Sequence, residues 1–236
     1  MDVTARSTRR STDGSTARSA SGSGPDPASP SKPGYHHPDL RAALLENGIA
    51  LARAGGPDAV SLRAVQRRSG VSNSAAYRHY ADRSALLVAI SDWASADLSA
   101  RMRAALDATP PAGEQGRRPV DVARDRLSAL GREYVGYALD EPGLFATAFI
   151  DQRKPLGPHE SLGRSDPFAL LGRCLDELVE AGALDPARRE WSDVAAWSAV
   201  HGLAVLLRSG PLRELDPAQR RAVLERVLDM MQSGLS

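Results

Sequence analysis

At 236 residues, with 42% apolar and 25% charged side chains, the chain has the composition of an ordinary globular protein of one or two domains. Its apolar stretches are broken by Arg, Asp or Glu before the ~20 residues a membrane span needs, and its N-terminus lacks the apolar run of a secretory signal. The single cysteine, Cys174, excludes an internal disulfide framework, and the formal net charge of +1 means that any affinity for nucleic acid has to come from a local patch; a cytoplasmic protein is the expectation.

Residues 1–37 are dominated by Ser, Thr, Gly, Pro and Arg, too few large apolar groups to offset the entropy of ordering, so a disordered basic tail is predicted. Either an inert solvated tail or an arm following a DNA groove fits that composition. Helical patterns then run to the C-terminus without strand-like alternation, which predicts an all-α protein. A first helix over Pro38–Ala54 aligns Leu40, Leu44 and Leu51, and Gly55-Gly56-Pro57 ends it. Ser61 has the chemistry of an N-cap for a helix carrying Leu62 and Val65, Gly70 that of a left-handed helix end, and Ser72 that of a cap for a helix through Tyr80. Asp82 is a third cap, opening a long helix through Leu86, Ile90, Trp93, Leu98 and Met102 toward Leu106. After a Pro/Gly loop, a helix over Val120–Leu139 is predicted, then a break at Pro142-Gly143. A short helix over Leu144–Ile150 follows, with Phe145 and Phe149 on one face. A polar loop over Gln152–Ser165 precedes helices at Asp166–Ala181, Ala187–Ser209 and Pro217–Gln232. The last two carry apolar residues wide enough for core or interface alike.

The stretch 61–83, SLRAVQRRSGVSNSAAYRHYADR, stands out chemically. Two short capped helices meet at a tight turn, and Arg63, Arg67, Arg68, Arg78 and Arg83 face a single acid, Asp82. Only Lys32 and Lys154 are lysines; the Arg bias suits bidentate contacts to phosphate and guanine, and it also follows from genomic base composition in an Ala-rich chain. Residues Pro38 to Leu87 resemble the DNA-binding domain of TetR-type transcriptional repressors. The resemblance rests on Ser61-Leu62-Arg63, Gly70-Val71-Ser72, Tyr77-Arg78-His79-Tyr80, Arg83 and Leu86-Leu87, in order and spacing. It implies a three-helix unit with a helix-turn-helix over 38–85, followed over 86–236 by a helical bundle that binds an effector and dimerises. By the same resemblance, Arg63 would contact guanine, Asn73, Ser74, Ala75 and Arg78 would face base edges, and Ser61, Ser72, Tyr77, His79 and Arg83 complete the DNA-binding set, mostly on phosphates. Tyr80 and Ala76 read as core, and Arg67 and Arg68 as surface charges or further contacts. Gln66 and Ser69 depart from the small Ala usual at the close crossing of the two helices, which puts that crossing in question.

Beyond about residue 105 the chain also resembles the C-terminal domain named for a Trp-His-Gly signature, here Trp197, His201 and Gly202. That resemblance implies a small-molecule effector pocket, for which Tyr134, Tyr137, Phe145, Phe149, Cys174, Trp197 and His201 are the candidate lining; ordinary core is the alternative for each. It also implies a homodimer through the last two helices, a double-stranded DNA operator as partner, and a repressor released by its effector. The effector's identity does not follow from these residues. An enzyme is the main rival reading. The chain has no phosphate-binding Walker loop, its one Gly-Ser-Gly lies at residues 22–24 in the tail, and no dinucleotide fingerprint follows a strand. The five histidines, His36, His37, His79, His159 and His201, are too scattered for a zinc site, so no metal and no cofactor is expected. A helical adaptor with a decayed DNA-binding fold is the second rival, and the intact Arg63, Tyr77 and His79 argue against it.

Overall fold

The computed structural model describes residues 39–149 and 167–235. The tail over 1–37, the polar loop over Gln152–Ser165, Ile150 and the histidines His36, His37 and His159 lie outside the described residues. Among the described residues every regular element is a helix, in the order α1 (Leu40–Gly55), α2 (Leu62–Ser69), α3 (Asn73–Tyr77), α4 (Arg83–Asp107), α5 (Pro119–Asp140), α6 (Pro142–Ala148), α7 (Pro167–Glu180), α8 (Ser192–Arg208) and α9 (Pro217–Leu235).

Local chemistry sets the early boundaries. Asp39 caps α1 by accepting from the Ala42 amide at 3.0 Å, a cap the sequence reading passed over. Ser61, Ser72 and Asp82 cap α2, α3 and α4 through the amides of Ala64, Ala75 and Ala85. Each such cap satisfies one of the donors that every helix start leaves open, and its loss costs about 1 kcal/mol. Gly70 leaves α2 at φ +67°, ψ +23°, the left-handed geometry its sequence position called for.

The core begins where α1, α2, α3 and the start of α4 meet, with Leu44, Val60, Val65, Ala76, Leu86 and Ile90 fully buried. Each large aliphatic side chain removed from water in this way stabilises by roughly 1.5–3 kcal/mol. The core continues along α4, whose Leu98, Met102 and Leu106 are buried far from the first three helices. Helix α5 is the central member of the second half, packing on α4, α6, α7, α8 and α9. It contributes Leu127, Leu130, Tyr134, Val135, Tyr137 and Ala138 to a core completed by Leu170, Leu175, Leu203 and Leu207. Helix α9 lies outermost, against α8 and α5, and of its side chains Leu228 is the buried hydrophobic. The bidentate pair of Arg132 with Glu225, at 2.7 and 2.6 Å, holds α9 to α5.

Three boundaries differ from the sequence reading. The break falls between Asp140 and Pro142, and the short helix α6 starts at Pro142 and not at Leu144: proline occupies the first helical turn, where its missing amide proton is not needed. The Ala187–Ser209 helix is interrupted. A short 3-10 turn at Pro186–Arg188 and a left-handed Trp191, φ +62°, precede the true start at Ser192, whose hydroxyl donates to the Arg189 carbonyl at 2.7 Å. The recognition-type helix closes at Tyr77, and the amides of His79 and Tyr80 both turn back to the Ala76 carbonyl. No described helix is long and apolar enough to cross a membrane.

Candidate nucleic-acid interface and sensing cluster

The helix-turn-helix is braced from its inner side and open on its outer side. Val65, Ala76 and Tyr80 are buried, whereas Arg63, Asn73, Ser74, Tyr77, Arg78 and His79 are exposed. Tyr77 keeps 49% of its surface accessible although its ring is among the largest apolar groups of the region. Arg63, Arg78 and His79 have no ion pair among the described residues, so their donors face solvent. Ser61 and Ser72 serve as caps, and the Ser72 hydroxyl also lies 3.2 Å from that of Ser74. Ala75 is half-buried under the same turn.

The two polar departures at the helix crossing are both satisfied. Gln66, 7% exposed, donates through Nε2 to Asn73 Oδ1 at 2.7 Å and so ties α2 to the first turn of α3. Ser69 accepts from Asn47 Nδ2 at 2.9 Å, and Asn47 Oδ1 in turn accepts from Arg68 Nε at 2.9 Å. Asn47 on α1 was not singled out in the sequence. It sits one polar step away from the Leu44 core face, and nothing in its spacing announces that it bonds residues more than twenty positions on. Arg68 is thereby held to α1, and Arg67 stays exposed. Arg83 is placed differently from a simple phosphate clamp. Its Nε donates to the Val60 carbonyl at 2.8 Å and its Nη2 to the Pro57 carbonyl at 2.7 Å, bracing the 3-10 turn at Pro57–Ala59 that links α1 to α2.

In the second half, five of the seven candidate lining residues come together. The Phe145 and Phe149 rings lie 5.0 Å apart, Phe149 meets His201 edge-on at 5.2 Å, His201 stacks on Phe145 at 5.7 Å, and Trp197 lies 5.1 Å from His201. Tyr134 meets Phe145 edge-on at 5.5 Å. Phe168, at the start of α7, joins through Trp197 at 6.1 Å, a contact between residues 29 positions apart that no local spacing signals. Tyr137 and Cys174 belong elsewhere. Tyr137 is fully buried under the Arg101 guanidinium at 4.9 Å, with its hydroxyl turned toward the Ala94 carbonyl of α4. Cys174 is buried in α7, and that burial pushes its thiol up to about 12, which makes it an inert packing group.

One hydrogen-bond chain crosses the rings. Indole nitrogen can only donate, so Tyr134 Oη accepts from Trp197 Nε1 at 3.0 Å, and it lies 2.8 Å from His201 Nδ1, donating or accepting there according to the imidazole tautomer. The neutral ring with its proton on Nε2 would accept the Tyr134 proton there. Burial, and secondarily the charge of Arg208, holds the ring below its ordinary 6.5, which favours the neutral form. Burial also raises the Tyr134 hydroxyl, keeping it a donor.

The ring cluster and the helix-turn-helix unit share α6. Gly143 on α6 lies so close to the end of α1 that a Cβ there would stand 2.1 Å from the Ala52 carbonyl oxygen. Two residues on, Phe145 belongs to the rings. Beside that contact, Glu141 accepts from Arg53 Nε of α1 at 2.9 Å and faces Arg101 of α4 at 3.7 Å.

Comparison with known proteins agrees with this geometry. Residues 44–90 match the family model of bacterial regulatory proteins, tetR family, and residues 127–231 match that of the tetracyclin repressor-like C-terminal domain. Among solved structures, a protein of unknown function from Rhodococcus sp. RHA1 is 28% identical, with 86% of this chain and 99% of that one covered at a TM-score of 0.68. A regulatory protein of the tetR family from Rhodococcus RHA1 is 18% identical over 83% of this chain and 96% of that one, TM-score 0.54, a likeness of fold. A variant of TetR from Acinetobacter baumannii AYE, solved in complex with minocycline, shares the fold at 17% identity and a TM-score of 0.51, covering 82% and 94%. No curated protein matches in sequence.

Proposed function

Because the chain belongs to the TetR family of transcriptional regulators, and so to DNA-binding proteins, we propose that it is a homodimeric repressor that leaves a two-fold symmetric operator when a small molecule occupies its second half. The observation that carries this reading is the exposed set Arg63, Asn73, Ser74, Tyr77, Arg78 and His79 on a frame capped by Ser61 and Ser72 and turned at Gly70. Helix α3 would enter a major groove with Asn73, Ser74, Ala75 and Arg78 toward base edges and Arg63 bidentate on guanine. Tyr77 and His79 would hold phosphates on the flanks, with Ser61 and Ser72 supporting them from the helix starts. Arg83 braces the preceding turn and would reach a phosphate only with the rest of its guanidinium edge.

On this reading, residues 38–85 form the reading head and 86–236 the sensing and dimerising part. The exposed Val205 and Leu206 of α8 and Met230 of α9 supply the apolar face of the dimer contact. The effector site is built around Tyr134, Phe145, Phe149, Trp197 and His201, and its occupation shifts the population between two arrangements of the reading heads through α6. Repression is favoured over activation because most of the family represses.

Selection from a random duplex pool with the full chain tests the reading. A palindrome should be enriched, bound with an affinity that falls steeply as salt rises. Arg63→Ala should lower affinity by about 1–3 kcal/mol and relax one base pair per half-site, while His79→Ala weakens all sequences alike. Equal losses on every sequence for Arg63→Ala would refute its base-reading role, and enrichment of no sequence would refute the function.

A further inference from the structure

We propose that Gln66, a residue on the helix behind the recognition helix, sets the base preference of Asn73 by holding its carboxamide in one orientation. The inference rests on the reading that α3 lies in a major groove, and it adds a specificity-determining residue that itself touches no DNA. Gln66 is buried at the crossing of α2 and α3, whereas Asn73 is exposed at the first residue of α3. Between them runs one hydrogen bond, Gln66 Nε2 to Asn73 Oδ1, at 2.7 Å.

An asparagine amide is planar, with an acceptor on one side and two donors on the other. When both sides face a groove, it reads adenine by accepting from N6 and donating to N7. Here the oxygen is turned back toward α2, so the amino group is the side that faces outward. That group requires an acceptor. Guanine offers O6 and N7 and thymine offers O4, whereas cytosine presents only its N4 amino donor and adenine places its N6 donor beside N7. Rotating Asn73 to read adenine would break the bond and leave a buried Gln66 amide unsatisfied, so the orientation resists change. The surrounding turn is fixed as well, since Ser72 caps Ala75 and lies against Ser74. Asn73 is thereby a donor-only reader, selecting the orientation of the base pair that puts guanine or thymine on the strand it faces, and Gln66 is its positioning residue.

The test is duplex selection with the full-length chain and three variants, Asn73→Ala, Gln66→Glu and Gln66→Ala. Asn73→Ala locates the base pair that Asn73 reads, as the position whose preference disappears. Every base pair carries one such base, so the preference is for the strand that bears it: at that position the wild type should prefer one orientation of a base pair over its reverse by about fivefold or more. Gln66→Glu replaces the donor by an acceptor, so the carboxylate takes the Asn73 amino group, turns the oxygen outward toward the amino group of cytosine or adenine, and reverses the preferred orientation of the base pair. Gln66→Ala releases the amide and flattens the preference at that position alone, and it remains informative should a buried glutamate prevent folding. A merely structural Gln66 would alter affinity at every position without inverting one. One preference unchanged in the wild type and both Gln66 variants overturns the proposal. Failure of the wild type to enrich any sequence overturns the DNA-reading function beneath it.

Discussion

At the scale of single residues, the informative side chains are those whose hydrogen bonds run in one direction. His201 Nδ1 ends such a chain 2.8 Å from Tyr134 Oη, and a protonated ring could only donate there. Its folded-state value is held below 6.5, first by burial and then by Arg208. The unfolded chain therefore binds a proton that the folded chain refuses. Stability is complete above 6.5 and falls as pH drops through that value toward the lower folded one. The melting temperature should decline between pH 7 and 5.5 more steeply for the wild type than for His201→Gln. Parallel declines would show that the ring is not held neutral by its surroundings. The sequence placed Trp197 and His201 on one face, and the rings do meet; it could not tell that Tyr137, three residues after Tyr134 on α5, turns toward α4. Helical spacing gives a face, but which neighbour covers it depends on tertiary packing. The crossing at Gln66 was read as the weak point of the helix-turn-helix for a similar reason. A polar residue in a buried position is alarming until its partner is known, and that partner, Asn73, lies seven residues away across a turn.

At the scale of elements, α6 carries more than its seven residues suggest. One of its residues presses on the end of α1, and another belongs to the aromatic cluster. A Cβ at Gly143 would meet backbone oxygens of Ala52 and Arg53 at 2.1 and 2.8 Å, atoms that cannot swing away as a side chain could. Gly143→Ala should therefore cost about 1–3 kcal/mol in urea unfolding, by forcing α6 off α1. An unchanged stability would mean that the two helices part easily and that α6 is no strut. Capped helices were legible in the sequence because caps are local chemistry, as Ser61, Ser72 and Asp82 demonstrate. The break at Pro142 was legible too, but the short helix starts at Pro142 and not at Leu144, because proline can both end one helix and occupy the first turn of the next. The left-handed Trp191 had no local signal at all, since a bulky residue is the least expected there.

At the scale of the whole molecule, a nearly neutral chain concentrates basic groups on one small unit and leaves apolar groups exposed at the opposite end of the sequence, on α8 and α9. The first pattern suits a polyanion and the second suits a second copy. In the proposed homodimer they would make the symmetry of the DNA target a consequence of the symmetry of the protein, since two identical reading heads related by a two-fold axis would select two inverted half-sites. The fold class was legible from the period of the apolar pattern. Which apolar residues of the last two helices belong to the core was not, because a wide apolar stripe suits a core or an interface equally well; burial places Leu228 in the core and leaves Leu206 exposed. The most direct measurement is the mass of the complex with the selected operator in solution, by sedimentation or light scattering. Binding should add whole pairs of the 25.1 kDa chain to each two-fold site, and Leu206→Arg should leave a monomer that no longer binds it tightly. A single chain bound to an asymmetric site, with Leu206→Arg indistinguishable from the wild type, would contradict the account.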